Sequence, residues 1–417
     1  MNDAAAAPNT SQDSRLRERA ARVIPGGMWG HQRASAVPAG YPQFFAGGDG
    51  ATVRDVDGRD YIDFMCSWGP IILGHRHPEV DAVVRAQMEA GDCLNGPTEH
   101  AVRLAETLVR MIPHADWALM QKNGSDAMTT CVTLARAGTG RRKILVASGA
   151  YHGAVPWSSP SLLGVTAEDR AHLLHYTYND AESLAAAAEA AGGDLAGIIV
   201  SAFRHDVGTP QEMPTAAFAT TARALCDAAG AALIVDDVRA GFRLNLGGSW
   251  EEVGVRPDLA GYSKAIANGQ PLAAVTGNDR FRPAAADAFF TGSFWYSGAP
   301  MAAAVKVLDI LERENAPARL QAAGARFAEG FVAAGARHGL EVSLSGPPAM
   351  PEMHFADDRD HALAETFCLE ALRRGVYLHH RHNMFLSLAH SDAVVDRAVD
   401  AMDDAFAALA RSRPTST

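Results

Sequence analysis

Ala231-Ala232-Leu233-Ile234-Val235-Asp236-Asp237-Val238-Arg239-Ala240-Gly241-Phe242-Arg243, followed downstream by Gly261-Tyr262-Ser263-Lys264-Ala265, is the stretch that decides the fold. An apolar β-type run ends in two carboxylates, and a lone lysine follows among small and apolar residues. An acid at the carboxyl end of a buried strand is desolvated and needs a cationic partner. A lysine in such a setting has its pKa lowered, which leaves the amine nucleophilic. Taken alone, the pair reads as an ordinary strand-end Asp and a surface Lys. The rest of the chain removes that preference.

At 417 residues the chain exceeds one simple core, and its 48% hydrophobic and 20% charged residues are the balance of a soluble globular protein. A net charge of −11 argues against nucleic-acid or acidic-lipid partners. Cys66, Cys93, Cys131, Cys226 and Cys368 are scattered, with no pair at metal-ligand spacing, as expected of reduced thiols in the cytoplasm. No run approaches the roughly 18 to 20 apolar residues of a membrane span. Met1–Ser14 lacks a signal pattern and is expected to be partly disordered.

Ser14–Val23 reads as a charged helix stopped by Ile24-Pro25-Gly26-Gly27, and residues 51–64 alternate in period two around an Asp-Gly turn, a hairpin signal. A helix is expected over about Pro78–Ala90. From Thr98 helices alternate with β-rich runs at Trp117–Gln121, Lys143–Ala147, Gly197–Ser201, Ala231–Asp236 and Leu259–Ser263, with a weaker run near Ala273–Gly277. Ala181–Ala191 and Thr215–Ala229 are Ala-rich and helical. This alternation predicts an α/β domain with a mainly parallel sheet covered on both faces. Pro300–Glu312 begins a helix leading out of it, and Leu320–His338, a β segment near Glu341–Leu344 and the Val376–Leu388 stretch suggest a smaller α+β domain.

Asn123-Gly124-Ser125-Asp126-Ala127 follows an apolar run and opens a helix, where small residues let backbone N–H groups approach an anion such as a phosphate. Read alone, it favours a plain N-cap on Ser125 or Asp126. Tyr151-His152-Gly153 puts an aromatic at a strand's carboxyl end, fit to lie on a cofactor ring and equally fit for a core. One cofactor wants the whole set. Pyridoxal 5'-phosphate (PLP) forms a Schiff base with a lysine and needs a carboxylate to keep its ring nitrogen protonated.

The order of anion cradle, aromatic, strand-end acid and lysine resembles fold-type I PLP enzymes. Finer matches resemble class III aminotransferases and the related glutamate-1-semialdehyde aminomutase. They include Ile24-Pro25-Gly26-Gly27, Ser67-Trp68-Gly69-Pro70, Leu73-Gly74-His75-Arg76-His77-Pro78, Pro97-Thr98-Glu99, Gly241-Phe242-Arg243 and Ser387-Leu388-Ala389-His390. The resemblance runs from about Ile24 to His390. It implies a large PLP-binding domain over residues 65–305 with a mainly parallel seven-stranded sheet. The small α+β domain would come from residues 1–64 and 306–417. By the same resemblance Lys264 would carry the cofactor and shuttle the proton, and Asp236 would pair with the ring nitrogen. Tyr151 and Val238 would cover the two ring faces, while Gly124 and Ser125 would hold the phosphate. A homodimer with shared active sites is implied, with Pro97-Thr98-Glu99 near the neighbour's site.

Departures from the family pattern bear on the substrate. Ser201-Ala202 stands where a Glu-Pro pair is usual, and Arg239 where a Gln or Met is usual. Trp295 stands where the family's partner-subunit Thr holds the phosphate, so Ser293 or Thr291 would replace that contact. No counterpart of the aminomutase glutamate occurs among His379, His380, Arg381, His382 and Asn383. Asp237-Val238-Arg239-Ala240-Gly241-Phe242-Arg243, Ser293-Phe294-Trp295 and His382-Asn383-Met384-Phe385 look more like the subgroup that includes the fumonisin-detoxifying aminotransferase, which deaminates a long-chain amino-polyol with pyruvate as acceptor. Trp29, Arg33, Trp68, Trp295 and Tyr296 fall on segments that line the family's site, and Arg33 or Arg239 would suit an acceptor carboxylate. The His379–His382 cluster reads as loop and interface, and His75 and His77 as structural, with no metal. The reading is a ping-pong transfer from a primary amine, of ω-amine or amino-polyol type, to a keto acid such as pyruvate. An intramolecular aminomutase, a PLP-dependent decarboxylase or racemase, and a non-catalytic PLP-binding protein remain as alternatives.

Overall fold

The computed structural model describes residues 11–206 and 208–412. The chain enters through α1 (Gln12–Val23), where the Ser11 side chain caps the helix by accepting from the Ser14 amide. That cap draws Gln12–Ser14 into the helix; residues 1–10 of the stretch expected to be partly disordered lie outside the described residues. Strands β1 (Phe45–Asp49), β2 (Thr52–Asp55) and β3 (Asp60–Asp63) then form an antiparallel meander. The Asp57-Gly58 turn marks β2 and β3 in the sequence. β1 carries no such signal, because Gly47 and Gly48 interrupt its pattern.

Helices α2 (Pro78–Ala90) and α3 (Glu99–Met111) lead into the alternating part of the chain. There β4 (Trp117–Gln121), α4 (Gly124–Thr139), β5 (Lys143–Ala147), β6 (Leu173–Tyr176) and α5 (Ala181–Ala191) precede β7 (Leu195–Ser201), α6 (Ala216–Ala229), β8 (Ala232–Asp236), β9 (Leu259–Tyr262) and β10 (Ala273–Gly277). These strands make one seven-stranded sheet in the order β4-β10-β9-β8-β7-β5-β6, parallel except for β10, which is antiparallel to both neighbours. Every residue of β7 is buried, as a strand covered on both faces requires. Because β8 is central, its carboxyl end opens where α/β sheets place their ligands.

After the sheet, α7 (Arg282–Asp287), α8 (Gly298–Arg313) and α9 (Ala316–Arg337) carry the chain to the antiparallel pair β11 (Val342–Ser345) and β12 (Glu352–Phe355). They are followed by α10 (Ala362–Arg373), β13 (Val376–Tyr377) and α11 (Asp392–Ser412). Strand β13 runs parallel to β3, so segments from both ends of the chain share one sheet of order β1-β2-β3-β13. Beyond β13 the chain lies along the segment after β3: the Phe385 amide donates to the Phe64 carbonyl at 2.7 Å and the Leu388 amide to the Ile72 carbonyl at 2.8 Å. This docking brings residues 66–70 and 379–385 together.

Helix α9 crosses the residues before β12 at unusually short range. A Cβ on Gly324 would stand 1.9 Å from the Pro348 carbonyl oxygen and 2.3 Å from its carbon. Gly324→Ala is therefore expected to destabilise the protein by about 1–3 kcal/mol through overpacking, despite a helix-propensity gain of about 1 kcal/mol. A urea midpoint that stays or rises would show that the backbones do not approach this closely.

Candidate active site

Asp236 ends β8 with its side chain turned to the cavity side of the sheet, while Asp237, pointing the other way as strand alternation demands, is buried behind it. Asp237 accepts from the Ser249 amide at 2.8 Å and the Ser249 hydroxyl at 2.5 Å, and burial pushes its carboxyl up to about 6. It is a structural acid. Asp236 Oδ1 accepts from the Val238 amide at 3.1 Å, and Oδ2 lies 2.7 Å from His152 Nδ1. The His152 ring is buried, with its Nε2 unpartnered. A carboxylate facing Nδ1 fixes the proton there, so His152 donates and orients the acid.

Lys264 follows β9 with a left-handed φ of 48°. Its amine donates to the Trp68 carbonyl at 2.8 Å and lies 5.9 Å from the Phe385 ring centre. Desolvation, then the Arg239 and Arg243 charges, lower its pKa to about 7 against the opposing pull of Asp236. The acceptor carbonyl belongs to a strained turn in which Cys66, Ser67 and Trp68 take φ of 47°, 55° and 65° before Gly69 at 109°. Asp63 holds the turn from one side through the Met65 and Cys66 amides at 2.9 and 3.0 Å, and His75 braces Asp63 at 2.8 Å. Arg243, fully buried, holds it from the other side by donating to the carbonyls of Gly69 at 2.5 Å and Leu386 at 2.7 Å.

At the start of α4 the cap is Asn123, whose Oδ1 accepts from the Asp126 amide at 3.0 Å, and not Ser125 or Asp126. Ser125 is thereby left to the cavity, where its hydroxyl accepts from the Ala154 amide at 3.1 Å. Two glycines keep this corner open to a ligand. A Cβ on Gly124 would meet Val238 at 2.6 Å, and one on Gly153, at φ 118°, would meet the Ser125 hydroxyl at 2.5 Å. Arg239 approaches the cavity from the β8 side. One of its amino groups hydrogen-bonds Asn383 Oδ1 and lies 3.4 Å from His382 Nε2, and burial lowers its pKa to about 10.

Lys264, Asp236, Gly124, Ser125, Tyr151, Val238, Arg239 and Trp68 thus share the wall of one cavity of about 600 Å³. Trp29, Arg33, Ser293 and Trp295 do not line it within the single chain. His31, Lys122 and His205 line it too, and the sequence alone assigns no role to them or to His152 and Arg243. The Tyr151-His152-Gly153 motif held His152, but its contact with Asp236 joins two distant strand ends. The residues fit PLP. A cavity of this size has an acid for the ring nitrogen, an amine for the aldehyde, and a glycine-lined helix N-terminus for the phosphate.

A lysine with a pKa near 7 is neutral above that pH and charged below it. In cofactor-free protein, modification of Lys264 by an amine-selective acylating reagent, followed by mass spectrometry, should rise through a midpoint near pH 7 and level off above about pH 8. A midpoint near 10 would show that the amine is not desolvated.

The family model for class-III aminotransferases matches residues 36–408. An aminopentol aminotransferase of Sphingopyxis macrogoltabida is 48% identical, the match covering 97% of this chain and 96% of that one. The PLP internal aldimine form of the FumI protein of Sphingopyxis sp. MTA144 superposes with a TM-score of 0.94 at 48% identity, over 96% of each chain. The glutamate-1-semialdehyde 2,1-aminomutase of Chloroherpeton thalassium is more distant, 32% identical over 94% of this chain and 97% of that protein. Cofactor, fold and reaction class follow together: the chain belongs to the class-III aminotransferase family and is a PLP-dependent enzyme.

Proposed function

We propose that this aminotransferase takes the amino group from a primary amine of the amino-polyol type and passes it to a keto acid such as pyruvate. The observation that carries the reading is the meeting of a neutral-poised amine, an oriented acid and a buried guanidinium in one cavity. The name of the 48% identical relative supports the amine class.

Bound PLP supplies an electron sink for the carbon that bears the nitrogen. Lys264 would hold the cofactor through its amine, and that amine, poised to be neutral, would serve as the base that moves the proton of the substrate carbon. Asp236, oriented by His152, keeps the ring nitrogen protonated. Gly124 and Ser125 would hold the phosphate at the α4 N-terminus, and Val238 and Tyr151 would flank the ring. Arg239 has one amino group engaged by Asn383, and its remaining N–H groups receive the acceptor's carboxylate, with Arg33 as the other candidate.

Trp29, Trp68 and Trp295 belong to the substrate side. The site is completed by a second copy of the chain, which brings Ser293 to the phosphate. Trp29, Leu163, Phe289 and Phe294 are 73%, 95%, 91% and 68% exposed, which favours a covering partner. The homodimer works in the cytoplasm, in keeping with cysteines that are all free. No helix among the described residues is long and apolar enough to cross a membrane. The large domain spans residues 65–305, and residues 1–64 and 306–417 form the small one.

The test is a pair of half-reactions on the holoenzyme. The cofactor's visible band should bleach with an amino-polyol and return with pyruvate, and Lys264→Ala should lose both changes. A band that cycles with no amine, and an amino-aldehyde that isomerises without acceptor, would favour the aminomutase instead. Arg239→Met should raise the KM for pyruvate by about tenfold or more, as expected for one charge-assisted contact, while the amine half-reaction changes less. Equal effects on both half-reactions would remove Arg239 from the acceptor site.

A further inference from the structure

Trp68 joins the reacting centre to its surroundings. Its backbone carbonyl accepts from the Lys264 amine at 2.8 Å, and its indole stands at the cavity wall just beyond. Three imidazoles from two distant segments surround that indole in edge-on geometry. The ring-centre distances are 4.6 Å for His31, 5.4 Å for His379 and 4.8 Å for His382, with interplanar angles of 66°, 63° and 88°. The cluster exists because β13 docks on β3 and lays the chain after Tyr377 against the turn at Trp68.

The hydrogen bonds sort these rings. His382 Nδ1 faces the Asn383 carbonyl at 2.8 Å, so it carries the proton, and Nε2 is left as the acceptor facing Arg239 at 3.4 Å. Both nitrogens are used, and His382 is a fixed support for the indole. His379 Nδ1 accepts from the Arg381 amide at 3.1 Å, and the ring packs against Trp68 without lining the cavity. His31 adds a ring whose nitrogens the described hydrogen bonds do not use. Burial lowers the pKa of His31, and that of His379 to about 4, so both rings are neutral at physiological pH.

A neutral imidazole beside an indole selects a particular chemistry. It offers a single donor and a single acceptor without positive charge, a poor match for a carboxylate or phosphate and a good one for hydroxyl groups, which both donate and accept. The indole provides an apolar surface for the carbon chain between those hydroxyls. We propose that Trp68 and His31, which both line the cavity, form a subsite that reads a hydroxyl group on the carbons next to the one bearing the amine. The subsite rests on the amino-group transfer described above and specifies how that site selects its amine.

The experiment compares two amines of equal chain length on the holoenzyme with pyruvate as acceptor: 2-aminooctane and 2-amino-3-octanol. The wild-type enzyme should favour the amino alcohol in kcat/KM by about tenfold or more, the worth of one or two neutral hydrogen bonds. His31→Phe, which keeps an aromatic ring against Trp68, should bring that ratio toward one. His31→Gln, whose amide still donates and accepts without charge, should restore much of it. Because the readout is a ratio within each variant, a uniform loss of activity does not imitate the effect. A wild-type enzyme that turns over both amines equally overturns the subsite alone, as does His31→Phe that leaves the preference intact. A holoenzyme that turns over neither amine overturns the amine-transfer reading and the subsite with it.

Discussion

An amine and a carboxylate share one desolvated cavity, and the rest of the structure exists to hold them there. Neither charge is stable in such a place without partners. Lys264 responds by giving up its proton easily, with a pKa near 7. Asp236 is met by the His152 ring and the Val238 amide, two donors aimed from different loops. The central position of β8 fixes where the acid stands, and β9 beside it fixes the lysine. Sheet order therefore sets the distance between the two groups more firmly than any single side chain.

The second support is the turn over the lysine. Three successive non-glycine residues at positive φ store strain on the order of 1–3 kcal/mol each, and such strain persists only where the surroundings over-determine it. Asp63 with His75 holds one side and Arg243 the other, both through backbone groups. Arg243 has carbonyl partners and the face of Phe385, its centre 5.1 Å away. A buried guanidinium with that set adds positive potential beside Lys264, so the residue that clamps the turn also depresses the lysine.

Much of this could be read in the sequence, for reasons that differ by element. Trp117–Gln121, Lys143–Ala147 and Ala273–Gly277 carry their strand signal in uninterrupted apolar or small residues, and their bounds are as expected. Leu173–Tyr176 carries no such signal, because four residues at the sheet's edge, one of them a histidine, give no periodicity. Lys264 and Asp236 were legible because their residue types and the strand before the acid state their chemistry. His152, His31 and Arg243 were not, since each acts through a partner distant in sequence that only the folded backbone brings near. Only the family resemblance points to Trp29, Arg33, Ser293 and Trp295, and one chain does not bring them to the cavity.

The most direct test of the role given to Asp236 is nitrogen NMR of the holoenzyme reconstituted with PLP labelled with ¹⁵N in the ring. An acid oriented by His152 predicts a protonated ring nitrogen in the wild-type protein at neutral pH and a deprotonated one in Asp236→Ala. A deprotonated nitrogen in the wild-type protein, or a protonated one that survives the loss of Asp236, would contradict it.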